Sequence, residues 1–267
     1  MTSKRDLTSL PSLMVPGQPA ILFNDKKKGR TLVVADLHIG YVYNQNKRGI
    51  IIPMARTAEE ELLKLVKKLE PRRVIILGDF KDEIYGAGNP LTGRIFSFIK
   101  KMTAKARLTI IKGNHDGNLE DFLSKPIEII PATGMTLELL EGIKIGLWHG
   151  HATPALDVMN AQITISAHAH PAYSFRDQLG TKITEKVWVK SKWREETKKR
   201  THIIMPAFNP YIDGFSVDGE FFKKNVTMRE GVEFLKAEVF TLEGVLLGTI
   251  EELQEERRKI EEKKETR

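Results

Sequence analysis

The sequence contains no cysteine, and this absence limits the kinds of site that the chain can build. Without cysteine there is no disulfide framework and no thiolate metal site. Any metal must therefore be held by nitrogen and oxygen atoms of His, Asp, Glu and Asn. A chain without disulfides also fits a reducing compartment, so we expect a cytoplasmic protein.

Long hydrophobic runs are missing as well. No segment approaches the roughly 18 consecutive apolar residues of a membrane span, so we expect no membrane partner. Residues 1–11 lack the apolar core of a secretion signal, and export is not expected. We find no internal repeat and no clear linker, and 267 residues are ample to bury a sizeable core.

The charge of the chain is unbalanced. The formal net charge is +7 and the pI is about 9.4. This balance suggests a polyanionic partner such as DNA or RNA. Lys and Glu enrichment without Cys also describes many heat-adapted intracellular proteins, and charge alone leaves the two interpretations about equal.

Histidine, by contrast, is present in clusters that each follow an apolar, β-branched run. The polar clusters are Asp36-Leu37-His38, Gly78-Asp79, Gly113-Asn114-His115-Asp116, His149-Gly150-His151 and His168-Ala169-His170. Strands that are hydrophobic on both faces and separated by helices predict a mainly parallel sheet covered on both sides. Ligands gather beyond the carboxyl ends of such strands. In extended backbone, side chains two residues apart point the same way, so each Asp-x-His or His-x-His pair is expected to hold one centre.

Helical periodicity predicts one helix within residues 54–69, starting near Pro53, and a second within 91–105. A short helix is expected after Asn118. We expect a closing hairpin around Glu243-Gly244.

The segment from Phe175 to Arg200 differs from the rest because it is rich in Lys and Arg and contains Trp188 and Trp193. Its alternating stretch Lys186-Val187-Trp188-Val189-Lys190 predicts a half-exposed strand or hairpin arm. We therefore expect one domain over residues 1–250, including this basic arm, and a charged C-terminal helix or tail over 251–267.

The ordered set of five clusters resembles the signature of the calcineurin-like metallophosphoesterase superfamily. The resemblance covers roughly residues 32–214, and the ordered set is far more specific than any single motif. A narrower likeness, to archaeal phosphoesterases related to the SbcD class of nucleases, rests on Asp36-Leu37-His38-Ile39-Gly40 and Pro206-Ala207-Phe208-Asn209-Pro210. The superfamily implies an α/β fold in which mainly parallel β-sheets form a sandwich flanked by helices, in four layers αββα.

The resemblance also implies two divalent metal ions, with Asp79 as the ligand shared between them. The first ion would be held by Asp36, His38, Asp79 and His170, and the second by Asp79, Asn114, His149 and His168. Mn²⁺ is the first choice, with Fe²⁺, Co²⁺, Zn²⁺ and Ni²⁺ as alternatives. A hydroxide between the ions would attack the phosphorus of a phosphate ester.

Other residues in or near the clusters have expected roles, and for one of them several roles remain open. His115 resembles the family's catalytic histidine and would protonate the leaving group, with Asp116 orienting its ring. His151 would replace His149 as a ligand, touch the substrate or, with more weight, lie outside the ligand shell. His202 stands outside every cluster and is expected to be structural. Ala167 stands where the family usually has glycine, a change that fits if its backbone angle is ordinary.

Three functions remain open from the sequence. The first is a phosphodiesterase or nuclease acting on nucleic acid, with Trp188 and Trp193 stacking on bases. The structural alternative for these tryptophans is packing in the core. The second function is a phosphatase or phosphodiesterase for small nucleotides, and the third is a binding scaffold without catalysis. The exposed arm would equally suit a homodimer contact.

Overall fold

The first of two β-sheets contains the strands that precede three of the polar clusters. The computed structural model describes residues 10–53, 56–83, 91–123, 127–176, 181–195, 198–226 and 233–265. The strands of the first sheet, in spatial order, are β1 (Ala20–Asp25), β2 (Gly29–Ala35), β3 (Arg73–Leu77), β4 (Arg107–Ile111) and β5 (Glu128–Ile130). Only β1 is antiparallel to its neighbour, and β2 to β5 are parallel, as the sequence predicts.

The second sheet is mixed rather than mainly parallel. Its strands are β6 (Met135–Glu138), β7 (Lys144–Leu147), β8 (Ile163–Ser166), β9 (Pro171–Arg176), β10 (Lys182–Glu195), β11 (Lys198–Ile204), β12 (Phe215–Ser216), β13 (Glu233–Thr241) and β14 (Leu246–Thr249). The spatial order is β12-β9-β10-β11-β8-β7-β6, and β13 pairs with β10 and β14. The β7, β8 and β11 strands are mutually parallel, so β7 and β8 end at the same edge. The β13–β14 pairing is the predicted closing hairpin.

Some helices pack on the outer faces of the two sheets and others lie elsewhere in the fold. The helices are α1 (Leu10–Leu13), α2 (Tyr41–Lys47), α3 (Ala58–Leu69), α4 (Leu91–Thr103), α5 (Leu119–Phe122), α6 (Leu156–Met159), α7 (Glu220–Asn225) and α8 (Ile250–Glu265). The three predicted helices are present as α3, α4 and α5. Helix α3 begins later than predicted because Thr57 caps it: its side chain accepts from the Glu60 amide, and the Glu60 side chain accepts from the Thr57 amide. Met54 and Ala55 lie outside the described residues.

Three hydrophobic clusters separate four layers. One joins α3 and α4 to the outer face of the first sheet, through residues such as Leu62 and Phe98. A second lies between the sheets, and a third joins the outer face of the second sheet to α7 and α8. This is the expected αββα arrangement of two sheets flanked by helices.

The C-terminal helix is charged along most of its length but is attached at its start. Ile250 and Leu253 are buried in the third cluster, and Arg257 Nη1 lies 3.0 Å from Asp218 Oδ2. The domain boundary at residue 250 stays a prediction. Among the described residues, no helix has both the length and the apolar character needed to cross a membrane.

The predicted strand and hairpin are present as β10 and β11, and β10 is exposed at its start, but its middle is buried, so the expected half-exposure of residues 186–190 is wrong. Strand β10 pairs with β9 over its first half and with β11 and β13 over its second half. Val187, Trp188 and Val189 are all at most 1% exposed. Trp188 faces the other sheet while its two neighbours face α8, so both faces of the strand are covered. The alternation with lysine suggested a wet face, but α8 and β13, which cover this strand, come much later in the chain.

Candidate metal centre

The polar clusters meet where the two sheets end at the same edge of the sandwich. Asp36 and His38 follow β2, and Asp79 follows β3. The remaining cluster residues follow β4, β7 and β8: Asn114, His115, His149, His168 and His170. Because two face-to-face sheets contribute, side chains far apart in sequence lie close together at this edge.

Five of these residues have left-handed backbone, which is uncommon outside glycine. The φ angles are 54° at Asp36, 42° at His38, 45° at Asp79, 64° at His168 and 40° at His170. Each such residue costs of the order of 1 to 3 kcal/mol and persists only where surrounding contacts fix it. Concentration of this strain at one place is typical of a functional site. By contrast, Ala167 keeps an ordinary φ, so its methyl group is accommodated as predicted.

Two glycines allow the clusters to approach each other closely. A Cβ on Gly78 would lie 2.1 Å from His149 Cδ2, and a Cβ on Gly113 would lie 2.1 Å from Asp79 Oδ1. Both contacts are far inside van der Waals distance, so any side chain here would displace a cluster residue. The glycines in these motifs thus provide space for the site.

Three overlapping groups of side chains have donor atoms within 4.8 Å of one another. They are Asp36 with His38 and His170, His38 with Asp79 and His115, and Asp79 with His149 and His168. Asp79 belongs to two of them. Its Oδ2 lies 3.5 Å from His38 Nε2 and 3.6 Å from His149 Nε2.

Neighbouring cluster residues do not always share a group. Asp36 and His38 do, as expected from their spacing, but His168 and His170 belong to different groups, so the expectation that this pair holds one centre is wrong. All four residues have left-handed backbone, so neither pair has the extended geometry on which the expectation depended. Asn114 is exposed in the turn beside the groups, and its role as a ligand stays a prediction.

The electrostatics of the centre are dominated by two buried carboxylates. Burial raises the pKa of Asp36, but the His170 and His149 rings lower it more, so the net pKa lies well below its ordinary value. Burial lowers the pKa of His149, yet Asp79 and Asp36 outweigh this effect and the net pKa is raised. For His168, burial and the neighbouring His149 lower the pKa to about 4. Positive charge is therefore favoured between Asp36 and Asp79.

The donor set fits divalent metal ions. Asp36 Oδ2, His38 Nε2 and His170 Nε2 are buried without a hydrogen-bond partner among the described residues. A buried polar atom without a partner costs of the order of 1 to 3 kcal/mol, and three at one place indicate that something else satisfies them. Imidazole nitrogen and carboxylate oxygen without sulfur suit ions such as Mn²⁺, Fe²⁺, Co²⁺ and Zn²⁺.

His115 lies at the open side of the centre, with its side chain 38% exposed. Its Nδ1 contacts the backbone carbonyl of Asp82. Since a carbonyl only accepts, Nδ1 is the protonated donor and Nε2 faces the centre, 4.0 Å from Asp79 Oδ2. The ring is thus oriented by a backbone carbonyl.

Asp116 has a different role from the predicted one. Its carboxylate is fully buried and accepts from the backbone amides of Gly113, at 2.9 Å, and Phe80, at 3.1 Å. It also accepts from the Lys81 amide at 3.3 Å. These bonds tie the loop after β3 to the loop after β4. The prediction that Asp116 orients the His115 ring is therefore wrong, because backbone amides occupy its oxygens.

The other two histidines also have defined partners. His151 Nδ1 lies 2.9 Å from His149 Nδ1, on the side of that ring away from the carboxylates. His151 thus contacts a predicted ligand ring, and the choice among its three predicted roles stays open. His202 is fully buried inside β11, with Nδ1 2.9 Å from Thr164 Oγ1 and Nε2 3.2 Å from Ser166 Oγ. It lies apart from the centre, as expected.

Sequence reasoning missed a half-buried lysine that fixes the loop under the first cluster. Lys186 Nζ donates to the carbonyls of Ala207, at 2.7 Å, and Asn209. Asn209 in turn donates from Nδ2 to the Leu37 carbonyl at 2.8 Å, so it holds the segment between Asp36 and His38. Burial lowers the pKa of Lys186 to about 8 against the opposing effect of Asp36. The only sequence signal was the lysine's place in an apolar stretch.

A cavity of about 440 Å³ opens beside the centre. His38, His115 and His170 form its inner side. Its outer side carries aromatic and charged residues that follow the clusters or the later turns: Tyr41, Arg48, Asp82, Glu83, Tyr211, Asp213 and Phe215. A cavity of this size admits one small ligand with a reactive group at the centre.

Comparison with known proteins places the chain in a family. A sequence model described as calcineurin-like phosphoesterase matches residues 29–238. No curated protein matches the chain. The narrower likeness to archaeal SbcD-related proteins stays a prediction.

Solved structures resemble the fold at low identity. Pseudomonas putida nuclease MPE is 18% identical with a TM-score of 0.47, over 80% of this chain and 84% of that chain. Yfce, a phosphoesterase from E. coli, is 15% identical with a TM-score of 0.40, over 82% and 97%. Vps29 from Entamoeba histolytica, complexed with zinc, is 13% identical with a TM-score of 0.32, over 81% and 94%. Likenesses this remote carry no argument about substrate.

Proposed function

We propose a two-metal mechanism for this chain, which belongs to the calcineurin-like phosphoesterase family and is a metal-dependent hydrolase. One ion would be held by Asp36, His38, Asp79 and His170, and the other by Asp79, Asn114, His149 and His168. The observation that carries this proposal is the position of Asp79, whose Oδ2 lies about equally far from the His38 and His149 rings, 3.5 and 3.6 Å. Two cations close together need a shared anionic ligand of this kind.

Divalent ions bound here would supply charge neutralisation at the phosphoryl group and a water with a lowered pKa. The protein's own groups supply orientation and proton transfer. His115 presents Nε2 to the cavity while the Asp82 carbonyl fixes Nδ1, so a protonated ring can donate to the departing alkoxide. The buried carboxylates and the strained backbone keep the ligands in place before substrate arrives.

Phosphodiesters that contain a nucleoside are the substrate class that we propose. The prediction of a nucleic-acid substrate keeps the net charge of +7 as support. The tryptophans no longer support this prediction, since Trp188 and Trp193 are 0% and 1% exposed and have no face available for a base. A single nucleotide is the alternative that the small cavity favours, because its lining carries Asp213, which repels further phosphates.

The experiment combines metal binding with a substrate panel. Chelated protein is titrated with Mn²⁺ in a calorimeter, and hydrolysis of bis-p-nitrophenyl phosphate, 2′,3′-cyclic AMP, and single- and double-stranded DNA and RNA is followed. We expect two ions per chain and hydrolysis that depends on Mn²⁺. Binding of a single ion with full activity would contradict the two-metal mechanism. Hydrolysis of the small esters alone, without salt-sensitive binding of any nucleic acid, would exclude the nucleic-acid substrate.

A further inference from the structure

An aromatic surface begins in the lining of the cavity, beside the predicted metal ligand His170, and continues outwards from it. Phe215 is 36% exposed and its ring is stacked parallel to that of His170, 6.2 Å away and tilted by 6°. Phe221 extends the surface outwards, 4.2 Å from Phe215 and 56% exposed. Exposed apolar rings that adjoin a ligand cavity commonly mark a binding surface.

The charges around this surface select the kind of group that covers it. Asp82, Glu83 and Asp213 line the cavity. Arg48 also lines it and lies 3.0 Å from Glu83, so these two charges offset each other, and Asp82 Oδ1 lies 3.3 Å from His38 Nδ1. The remaining carboxylate, Asp213, would repel a second phosphate or a carboxylate, whereas it would not repel an uncharged planar ring.

We propose that this surface, formed by Phe215 and Phe221, binds the base of the nucleoside esterified to the reacting phosphate. The inference rests on the proposed function, because the phosphoryl group at the centre fixes where the rest of the substrate extends. Every base has a flat face that stacks on an aromatic ring, so recognition here is tolerant of base identity. Phe215 and Phe221 are then specificity-determining residues that raise affinity for the nucleoside and leave the chemical step unchanged.

The test compares two phosphates that differ only in the base. Binding of AMP and of ribose 5-phosphate to the Mn²⁺-loaded protein is measured by calorimetry. We expect AMP to bind about 10-fold more tightly, as one stacked base implies. In the variant Phe215→Ala/Phe221→Ala this preference disappears, while affinity for ribose 5-phosphate is retained. Phe96→Ala is the matched control, since Phe96 is 43% exposed on α4 at the far face of the first sheet.

The outcomes separate this inference from the proposed function. If neither phosphate binds, the proposed function fails and the base site fails with it. If both bind equally to the unmodified protein, the base site is overturned and the phosphoesterase remains. Phe221→Ala alone is a second variant in case the double variant folds poorly, because this ring is the more exposed of the two.

Measurements of hydrolysis distinguish whether the bound base belongs to a free nucleotide or to the end of a nucleic-acid strand. Hydrolysis of 2′,3′-cyclic AMP and of a single-stranded oligonucleotide is measured for each variant. A rise in KM of about 10-fold at unchanged kcat for either substrate, absent in Phe96→Ala, supports the site. Unchanged kinetics for every substrate that is turned over would overturn it.

Discussion

Two fully buried histidines show opposite electrostatic behaviour in this protein. His149 lies among Asp36, Asp79 and other rings, and its pKa is raised although burial lowers it. His202 lies among hydroxyl groups and the rings of Trp148 and Trp193, and burial lowers its pKa to about 3. Both rings are 0% exposed, so burial is not what distinguishes them. Neighbouring carboxylates decide whether an interior histidine lies in a cation-binding environment.

Removing a carboxylate from the centre is the change that we expect to have the largest effect on the environment of His149. Asp79→Asn removes one of the two carboxylates beside His149 and puts an amide in place of the shared anion, while Asp36 remains. We expect loss of at least one bound ion and a fall in kcat of about 10³-fold or more, since the shared ligand supports several kcal/mol of charge stabilisation. Metal content and hydrolysis of bis-p-nitrophenyl phosphate measure the two effects.

Asp157→Asn is a suitable control for this change, because Asp157 is an exposed carboxylate that accepts a hydrogen bond from Thr136 at the surface. Its variant should keep both ions and full turnover. An Asp79→Asn protein with two ions and normal kcat would show that the shared carboxylate is dispensable.

The division between these two histidines is visible in the sequence. His149 follows an apolar run together with glycine and another histidine, whereas His202 stands alone within a strand-like segment. Parallel strands carry their cluster residues to one edge, so local patterns were sufficient to predict which residues converge. The order of the five clusters also predicted the α/β sandwich.

Other features depend on contacts that local patterns do not contain. Asp116 stands beside His115 in sequence, but its partners are amides of the loop after β3 and of Gly113. Trp188 is covered by layers that include later parts of the chain. The paired rings of Phe215 and Phe221 meet only because a short strand and the following helix turn towards the centre. Each of these requires the packed tertiary structure.

A third histidine environment sharpens the comparison. His115 borders the carboxylates but is partly exposed, and its Nδ1 is already engaged by a carbonyl. We expect His115→Gln to lower kcat by about 10²-fold, the contribution of one proton donor, while both ions are retained. Single-turnover kinetics and metal analysis check this. Loss of an ion instead would identify His115 as a ligand in the group with His38 and Asp79.

The smallest expected effect concerns stability and tests the other member of the comparison. The folded pKa of His202 is about 3 against an ordinary value of 6.5, so between these values the unfolded chain binds more protons. His202 therefore makes the protein less stable as pH falls through 6.5, by about 2 kcal/mol between pH 7 and pH 5. His202→Gln cannot titrate, and its amide can still bond to Thr164.

Urea unfolding of the unmodified protein and of His202→Gln at pH 7 and pH 5 isolates the contribution of His202 to the pH dependence of stability. Every other titrating group is common to the two proteins and cancels in their difference. We expect the stability of the unmodified protein relative to His202→Gln to fall by about 2 kcal/mol over this interval. A difference that is the same at both pH values would mean that the folded protein protonates His202 as readily as the unfolded chain does. Hydroxyl neighbours would then stabilise an interior imidazolium, and carboxylates would no longer be what separates the two environments.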